Sequence, residues 1–82
     1  MESISIIDKV RAFARNSTFG DKEKIKDDTK LFQEGYFDSI RFVALLAFLE
    51  ENFQIQINDD DMVETNFESI IYITKFVEKK KV

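Results

Sequence analysis

The chain has 82 residues, of which 44% are hydrophobic, and a formal net charge of −4. It is long enough for one folded domain, predicted to span residues 1–82, and too apolar for a disordered segment. It contains no Cys and no His, which excludes disulfides, a cysteine nucleophile and the usual catalytic base. Its acidic charge opposes binding to nucleic acid. We therefore expect neither an enzyme nor a nucleic-acid binder, and no metal site.

The beginning of the chain predicts one amphipathic helix and no targeting segment. Met1 to Ser5 lack the basic start and long apolar run of a secretory signal, and no apolar run in the chain reaches membrane-spanning length. We therefore expect a cytoplasmic protein with no membrane partner. Apolar residues recur at helical spacing to about Arg15, and turn-forming residues at 16–20 end the helix. The apolar face comprises Ile4, Ile6, Ile7, Val10, Phe13 and Ala14.

The next segment, residues 21–37, is dominated by charges of alternating sign and predicts a long solvated loop. We expect it to contact the core at the isolated Ile25 and at the pair Leu31 and Phe32. Gly35 lies shortly before the following helix, where a glycine permits a turn that other residues resist.

The fifteen residues 38–52 form the longest apolar stretch and predict a central helix that is apolar on two faces. One arc is the expected core face, made by Phe42, Leu45, Leu46, Leu49 and the following Phe53. The opposite arc is called here the outer stripe and comprises Ile40, Val43, Ala44, Ala47 and Phe48, rimmed by Arg41, Glu50 and Glu51. Periodicity leaves two interpretations open. The stripe is a contact surface for partners, or the helix is covered on nearly all sides.

The start of this helix is a candidate site for an anionic group. Asp38 fits the N-cap position, with Phe37 and Phe42 placed as a hydrophobic staple. Ser39 is then the first helical residue, and its hydroxyl projects where the positive end of the helix dipole favours a phosphodiester. The alternative is that Ser39 is itself the cap and has no further role.

The last third of the chain completes a predicted all-α fold with four helices. Residues 53–57 alternate apolar and polar, but a single strand would have no partner, so we expect an extended connection. Asn58 and the acids at 59–61 predict the cap and first turn of a short third helix rather than a calcium loop. A last helix is expected to begin at Thr65 or Asn66. Its apolar face would comprise Phe67, Ile70, Ile71, Ile73, Phe76 and Val77.

Residues 35–40, with the sequence GYFDSI, precede an apolar helix and the sequence EENFQIQI at 50–57. This arrangement resembles the acyl and peptidyl carrier protein family over roughly residues 4–80. The family's signature is Asp-Ser followed by a large aliphatic residue at the start of its second helix. The resemblance implies a small four-helix bundle of the acyl-carrier type, with a long first loop and a short third helix.

By the same resemblance, Ser39 bears a covalent 4′-phosphopantetheine arm that holds an acyl or aminoacyl cargo as a thioester. Asp38 would help to position metal-bound coenzyme A while Ser39 attacks its pyrophosphate. The implied partners of this monomeric carrier are a phosphopantetheinyl transferase and acyl- or aminoacyl-activating ligases or synthases. The expected docking residues are Ile40, Arg41, Val43, Ala44, Ala47, Phe48, Glu50 and Glu51.

The sequence GYFDS at 35–39, which leads into the predicted central helix, and the sequence NFESI at 66–70 are more similar to the same segments of carriers that work beside an adenylating ligase, including D-alanyl carriers. Arg41 and Ala44 stand where the fatty-acid branch usually has acids, and Ala47 where it has Met. A dedicated pathway, such as one of secondary metabolism, is therefore favoured over the alternative of type II fatty acid biosynthesis. The alternative from another class is a non-catalytic helical interaction module, in which Ser39 only caps.

Overall fold

The structure is a computed structural model that describes residues 5–17 and 22–81. Within these ranges there are three α-helices, α1 (Ile6–Asn16), α2 (Ser39–Phe53) and α3 (Ile70–Lys80). Short 3₁₀ turns at Lys22–Lys24, Asp59–Asp61 and Glu64–Phe67 interrupt the connections. The described residues contain no strand, which confirms the predicted all-α class. None of these helices is long and apolar enough to cross a membrane.

The core is formed where α1 packs against α3 and where α2 adds its inner face. The predicted core face of α2 is confirmed, because Leu45, Leu49 and Phe53 are buried and Phe42 and Leu46 pack half-buried against them. The other helices contribute the buried side chains Val10, Ala14, Ile70, Ile73, Phe76 and Val77. Ile4, which was expected on the face of α1, lies outside the described residues.

The long first loop is fastened to both α1 and α3. Ile25 and Leu31 are fully buried, which confirms that the loop contacts the core at the predicted points. Arg11 on α1 donates from Nε and Nη2 to the two carboxylate oxygens of Asp27, both at 2.9 Å. The carbonyl of Asp27 accepts the backbone N–H of Ile71 at 3.0 Å. The ion pair and the backbone hydrogen bond together hold the loop against α1 and α3.

The predicted count of four helices is not confirmed. The short third helix was expected after Asn58, where the structure has the 3₁₀ turns Asp59–Asp61 and Glu64–Phe67 instead. The predicted start of the last helix at Thr65 or Asn66 is wrong, because α3 begins at Ile70 with Ser69 as its N-cap.

The aromatic core explains the later start of α3. The ring of Phe67 is only 1% exposed and packs edge to face against Phe42 and Phe76, at centroid distances of 5.3 and 5.1 Å. The side chain of Asn66 donates to the carbonyl of Asp61 at 2.8 Å rather than capping a helix. A second helix start at Ser69, whose Oγ accepts the N–H of Tyr72 at 3.3 Å, then follows.

The connection after α2 is not a strand, and Ile55 and Ile57 pack against the core, as predicted. Gln54 ends the helix in the left-handed region, with φ of 57°. The residues that follow have no regular structure, and Ile55 and Ile57 are half-buried against the core.

Candidate functional site

A tight turn directs the chain into α2. Gly35 adopts φ of 84°, a conformation that L side chains rarely adopt, as its position before the helix predicted. The carbonyl of Leu31 accepts the backbone N–H groups of both Tyr36 and Phe37, at 2.9 and 3.0 Å. Phe37 is 4% exposed and anchors the end of the turn in the core. The turn therefore fixes the residue that precedes the helix cap.

Asp38 is the N-cap of α2, and Ser39 is the first helical residue, as predicted. Oδ1 of Asp38 accepts the backbone N–H of Arg41 at 2.9 Å, and its carbonyl accepts that of Phe42 at 2.9 Å. The alternative in which Ser39 itself caps the helix is therefore wrong. The staple residues Phe37 and Phe42 both pack edge to face on Phe32, with ring centroids 5.7 and 5.5 Å away.

The hydroxyl of Ser39 is exposed and is not used for capping. Within the described part of the chain, the backbone N–H groups of Ser39 and Ile40 have no hydrogen-bond acceptor. Both groups lie at the positive end of the helix dipole, which stabilises a neighbouring anion. The residues present therefore fit a phosphodiester on Ser39 Oγ.

An apolar cavity of about 440 Å³ opens beside Ser39. Its aromatic floor includes Phe42, whose ring lies 5.5 Å from that of Phe32 and 5.3 Å from that of Phe67. Its outer wall is made by Met62 and Val63, which are 44% and 50% exposed. Glu64 and Ser39 are its polar lining residues. An apolar group attached near Ser39 can therefore be removed from water by binding in this cavity.

Sequence reasoning did not assign Met62 and Val63 to the site. The sequence signal that could have identified them is an apolar pair directly after three acids. Two apolar residues in a polar segment favour an apolar neighbour that covers them. Nothing in the local pattern showed that this neighbour would be the start of α2.

Six of the eight predicted docking residues are exposed on α2. Ile40 and Val43 are the most exposed of its large apolar side chains, at 71% and 65%. Small alanines and two acids accompany them, namely Ala44, Ala47, Glu50 and Glu51. A carboxylate oxygen of Glu50 also accepts the backbone N–H of Ile57 at 2.9 Å, so this acid supports the connection after the helix as well. The exposed face combines apolar contact area with negative charge.

The two remaining predicted docking residues face α1 instead. The ring of Phe48 stacks on that of Phe13 at 4.5 Å and meets Phe53 edge to face at 6.0 Å, so it is half-buried as part of the packing. Arg41 is also half-buried, and its Nε donates to the carbonyl of Ser17, the C-cap of α1, at 2.6 Å. Both side chains therefore pack against α1, and only the other part of the outer stripe is exposed. A docking role for any of the eight residues stays a prediction.

Comparison with known proteins agrees with this site. The sequence profile of the family described as "Phosphopantetheine attachment site" matches residues 8–70, which include the start of α2 and the whole cavity. The chain is 34% identical over 70 residues to the "Acyl carrier protein, mitochondrial" of Saccharomyces cerevisiae, a match that covers 83% of this chain and 56% of that protein. The chain thus spans about half the length of this curated relative. It belongs to the phosphopantetheine-attachment family, to which acyl carrier proteins belong, and its prosthetic group is a covalent 4′-phosphopantetheine.

Proposed function

We propose that this chain is an acyl carrier whose 4′-phosphopantetheine is attached to Ser39. The observation that carries the proposal is the division of labour at the start of α2. Asp38 satisfies the orphan N–H of Arg41, so the exposed hydroxyl of Ser39 is left available beside two N–H groups that have no acceptor among the described residues. These N–H groups stabilise the phosphodiester once it has formed. The attached arm supplies the thiol that holds the cargo as a thioester.

The cavity beside Ser39 supports an acyl cargo rather than a charged one. Its floor and outer wall are apolar, and burying a charged group there would cost free energy unless Glu64 paired with it. The chain itself performs no chemistry on the cargo in this proposal. It holds the arm, shields the apolar part of the cargo and presents both to enzymes that act on acyl groups.

The proposed partners dock on the exposed residues of α2. Ile40 and Val43 would be covered by apolar surface, and Glu50 and Glu51 would meet Lys or Arg of the partner. We propose a dedicated biosynthetic pathway, because Ala44 and Ala47 depart from the pattern of the fatty-acid branch. The similarity to a mitochondrial acyl carrier protein favours fatty acid biosynthesis as the second candidate. For either candidate pathway, the carrier has 3₁₀ turns at 59–67 where the carrier bundle has its short third helix.

The attachment is tested by intact mass after incubation with coenzyme A, magnesium and a broad-specificity phosphopantetheinyl transferase. Three proteins are compared: the natural chain, Ser39→Ala and the matched control Ser5→Ala. Ser5 also lies exposed at a helix start, but there it is the N-cap. We expect one phosphopantetheinyl group on the natural chain and on Ser5→Ala, and none on Ser39→Ala.

Two results would contradict the proposal. Loading of Ser39→Ala would place the arm on another residue. Failure to load the folded natural chain, with a transferase that is active on another carrier, would favour the interaction module.

A further inference from the structure

Among the residues that the structure describes, the backbone N–H groups of the outer wall make short-range bonds only. The N–H of Met62 bonds to the carbonyl of Asp59 at 3.1 Å, and that of Val63 bonds to the carbonyl of Asp61 at 2.8 Å. The carbonyl of Val63 accepts the N–H of Asn66 at 3.1 Å. Each bond joins residues at most three positions apart, so none of them fastens the wall to the rest of the molecule. The side chains of Met62 and Val63 are about half exposed and add limited packing.

An ion pair fastens this segment to the end of α3, in addition to the packing of Phe67 on Phe76. Lys80 Nζ lies 2.7 Å from Oδ2 of Asp61, and the side chains are only 22% and 21% exposed. The same carboxylate oxygen accepts the N–H of Asn58 at 2.9 Å, and the carbonyl of Asp61 accepts the side chain of Asn66. Asp61 is therefore the point at which the turn before the wall, the turn after it and α3 are joined.

Lys81, the C-cap of α3, fastens the other end of the same connection. Lys81 Nζ donates to the carbonyl of Phe53, the last residue of α2, at 3.2 Å.

The hydrogen bond from Lys80, followed by that from the backbone of Asn58, holds the pKa of the Asp61 carboxyl below its ordinary value. The carboxylate is thus charged at neutral pH, as the contact requires.

We propose that the ion pair between Lys80 and Asp61 is a latch that holds the wall of Met62 and Val63 in place beside the cavity and so shields a thioester-bound acyl group. The shielding part rests on the proposed function, because only a loaded arm places cargo beside Ser39. Opening the latch frees the wall but leaves the floor in place, since Phe42 and Phe67 are held by the aromatic core.

Hydrogen exchange tests the latch without any cargo. The variants are Lys80→Met, which keeps the aliphatic stem, and Asp61→Asn, which keeps an oxygen for the N–H of Asn58. The matched control is Lys79→Met, the same change at the exposed neighbouring position. We expect the amides of Met62, Val63 and Asn66 to exchange about two- to fivefold faster in both latch variants, as for the loss of a partly exposed ion pair. Unchanged exchange, or equal acceleration in Lys79→Met, would overturn the latch.

Thioester cleavage tests the shielding. The chain is loaded with octanoyl-phosphopantetheine or acetyl-phosphopantetheine, and cleavage by hydroxylamine is followed by intact mass. We expect Lys80→Met to accelerate cleavage of the octanoyl thioester by about two- to fivefold, with little effect on the acetyl thioester, which is too short to fill the cavity. Equal rates for the natural chain and Lys80→Met on octanoyl would overturn the shielding.

The two experiments separate the two proposals. A chain that cannot be loaded overturns the proposed function and with it the shielding, while the exchange rates still decide whether the wall is latched. Faster exchange together with unchanged octanoyl cleavage overturns the shielding alone, because the wall would then be latched for another reason.

Discussion

Asp38 combines a structural role with a proposed role in loading, and two substitutions separate them. Asp38→Ala removes the oxygen that accepts the N–H of Arg41 at 2.9 Å, whereas Asp38→Asn keeps an oxygen there and removes the charge. Loss of an N-cap lowers the free energy of unfolding by about 1 kcal/mol, while Asn and Asp cap helices about equally well. For a domain of this size, about 1 kcal/mol corresponds to a fall in Tm of ~4–8 °C. We therefore expect Asp38→Ala to melt several degrees lower and Asp38→Asn to melt close to the natural chain.

Thermal unfolding by circular dichroism measures the first role, and the rate of mass gain with coenzyme A and the transferase measures the second. If the charge of Asp38 helps to position metal-bound coenzyme A, Asp38→Asn loads more slowly although its Tm is retained. A Tm of Asp38→Asn as low as that of Asp38→Ala would refute the capping argument. Natural loading rates in Asp38→Asn would refute the role of the charge.

Three further substitutions test the fastening of the loop and of the helix start. Arg41 lies at the edge of the outer stripe, and because its Nε bonds to the carbonyl of Ser17, we expect Arg41→Glu to lower the free energy of unfolding by about 1 kcal/mol as well as to change partner choice; an unchanged Tm would contradict this. The hydrogen bond from Arg11 lowers the pKa of Asp27 in the folded protein. The charged carboxylate therefore stabilises the fold fully above its unfolded-state pKa of about 3.9, and this stabilisation is lost as the pH falls through the lower pKa of the folded state. Asp27→Asn should therefore lower stability at neutral pH by about 1 kcal/mol, allowing for solvent screening, and flatten the loss of stability below about pH 4 in urea titrations; an unaltered acid limb would contradict the assignment. Gly35→Ala meets no atom within 4 Å, so only the strain at φ of 84° should lower its unfolding free energy, by about 1 kcal/mol.

The start of α2 could be predicted from sequence because local chemistry decides it. A cap needs an acceptor at one position, and Asp38 supplies it whatever the rest of the chain does. Gly35 likewise meets a conformational requirement of the backbone alone. The core contacts of Ile25 and Leu31 were predictable for a related reason, since isolated apolar residues in a charged loop have few other places to go.

The segment from Asn58 to Ser69 could not be predicted, because distant contacts decide it. The sequence predicts a cap at Thr65 or Asn66, whereas the ring of Phe67 packs between α2 and α3 and α3 begins after Ser69. A cap contributes about 1 kcal/mol, whereas burial of one phenylalanine contributes about 2–3 kcal/mol. Asp61 was likewise predicted as a first-turn acid, and its partner Lys80 is nineteen positions away.

Which part of the outer stripe is exposed depends on where α1 packs against α2. The periodicity of the α2 sequence alone does not show this. At about 100° per residue, Arg41 and Phe48 fall within ~20° of each other at one edge of the stripe, and this edge faces α1. What remains exposed is a strip about 140° wide that runs from Ala44 to Ser39, with Ala47 near its centre and Val43 between Ala47 and Ser39. A partner that covers this strip therefore reaches the attachment residue and the cavity from one side without displacing α1. The small side chain of Ala47 near the middle of the strip allows the partner's backbone to approach closely, so we expect substitutions that enlarge Ala47 to weaken docking while the core remains intact.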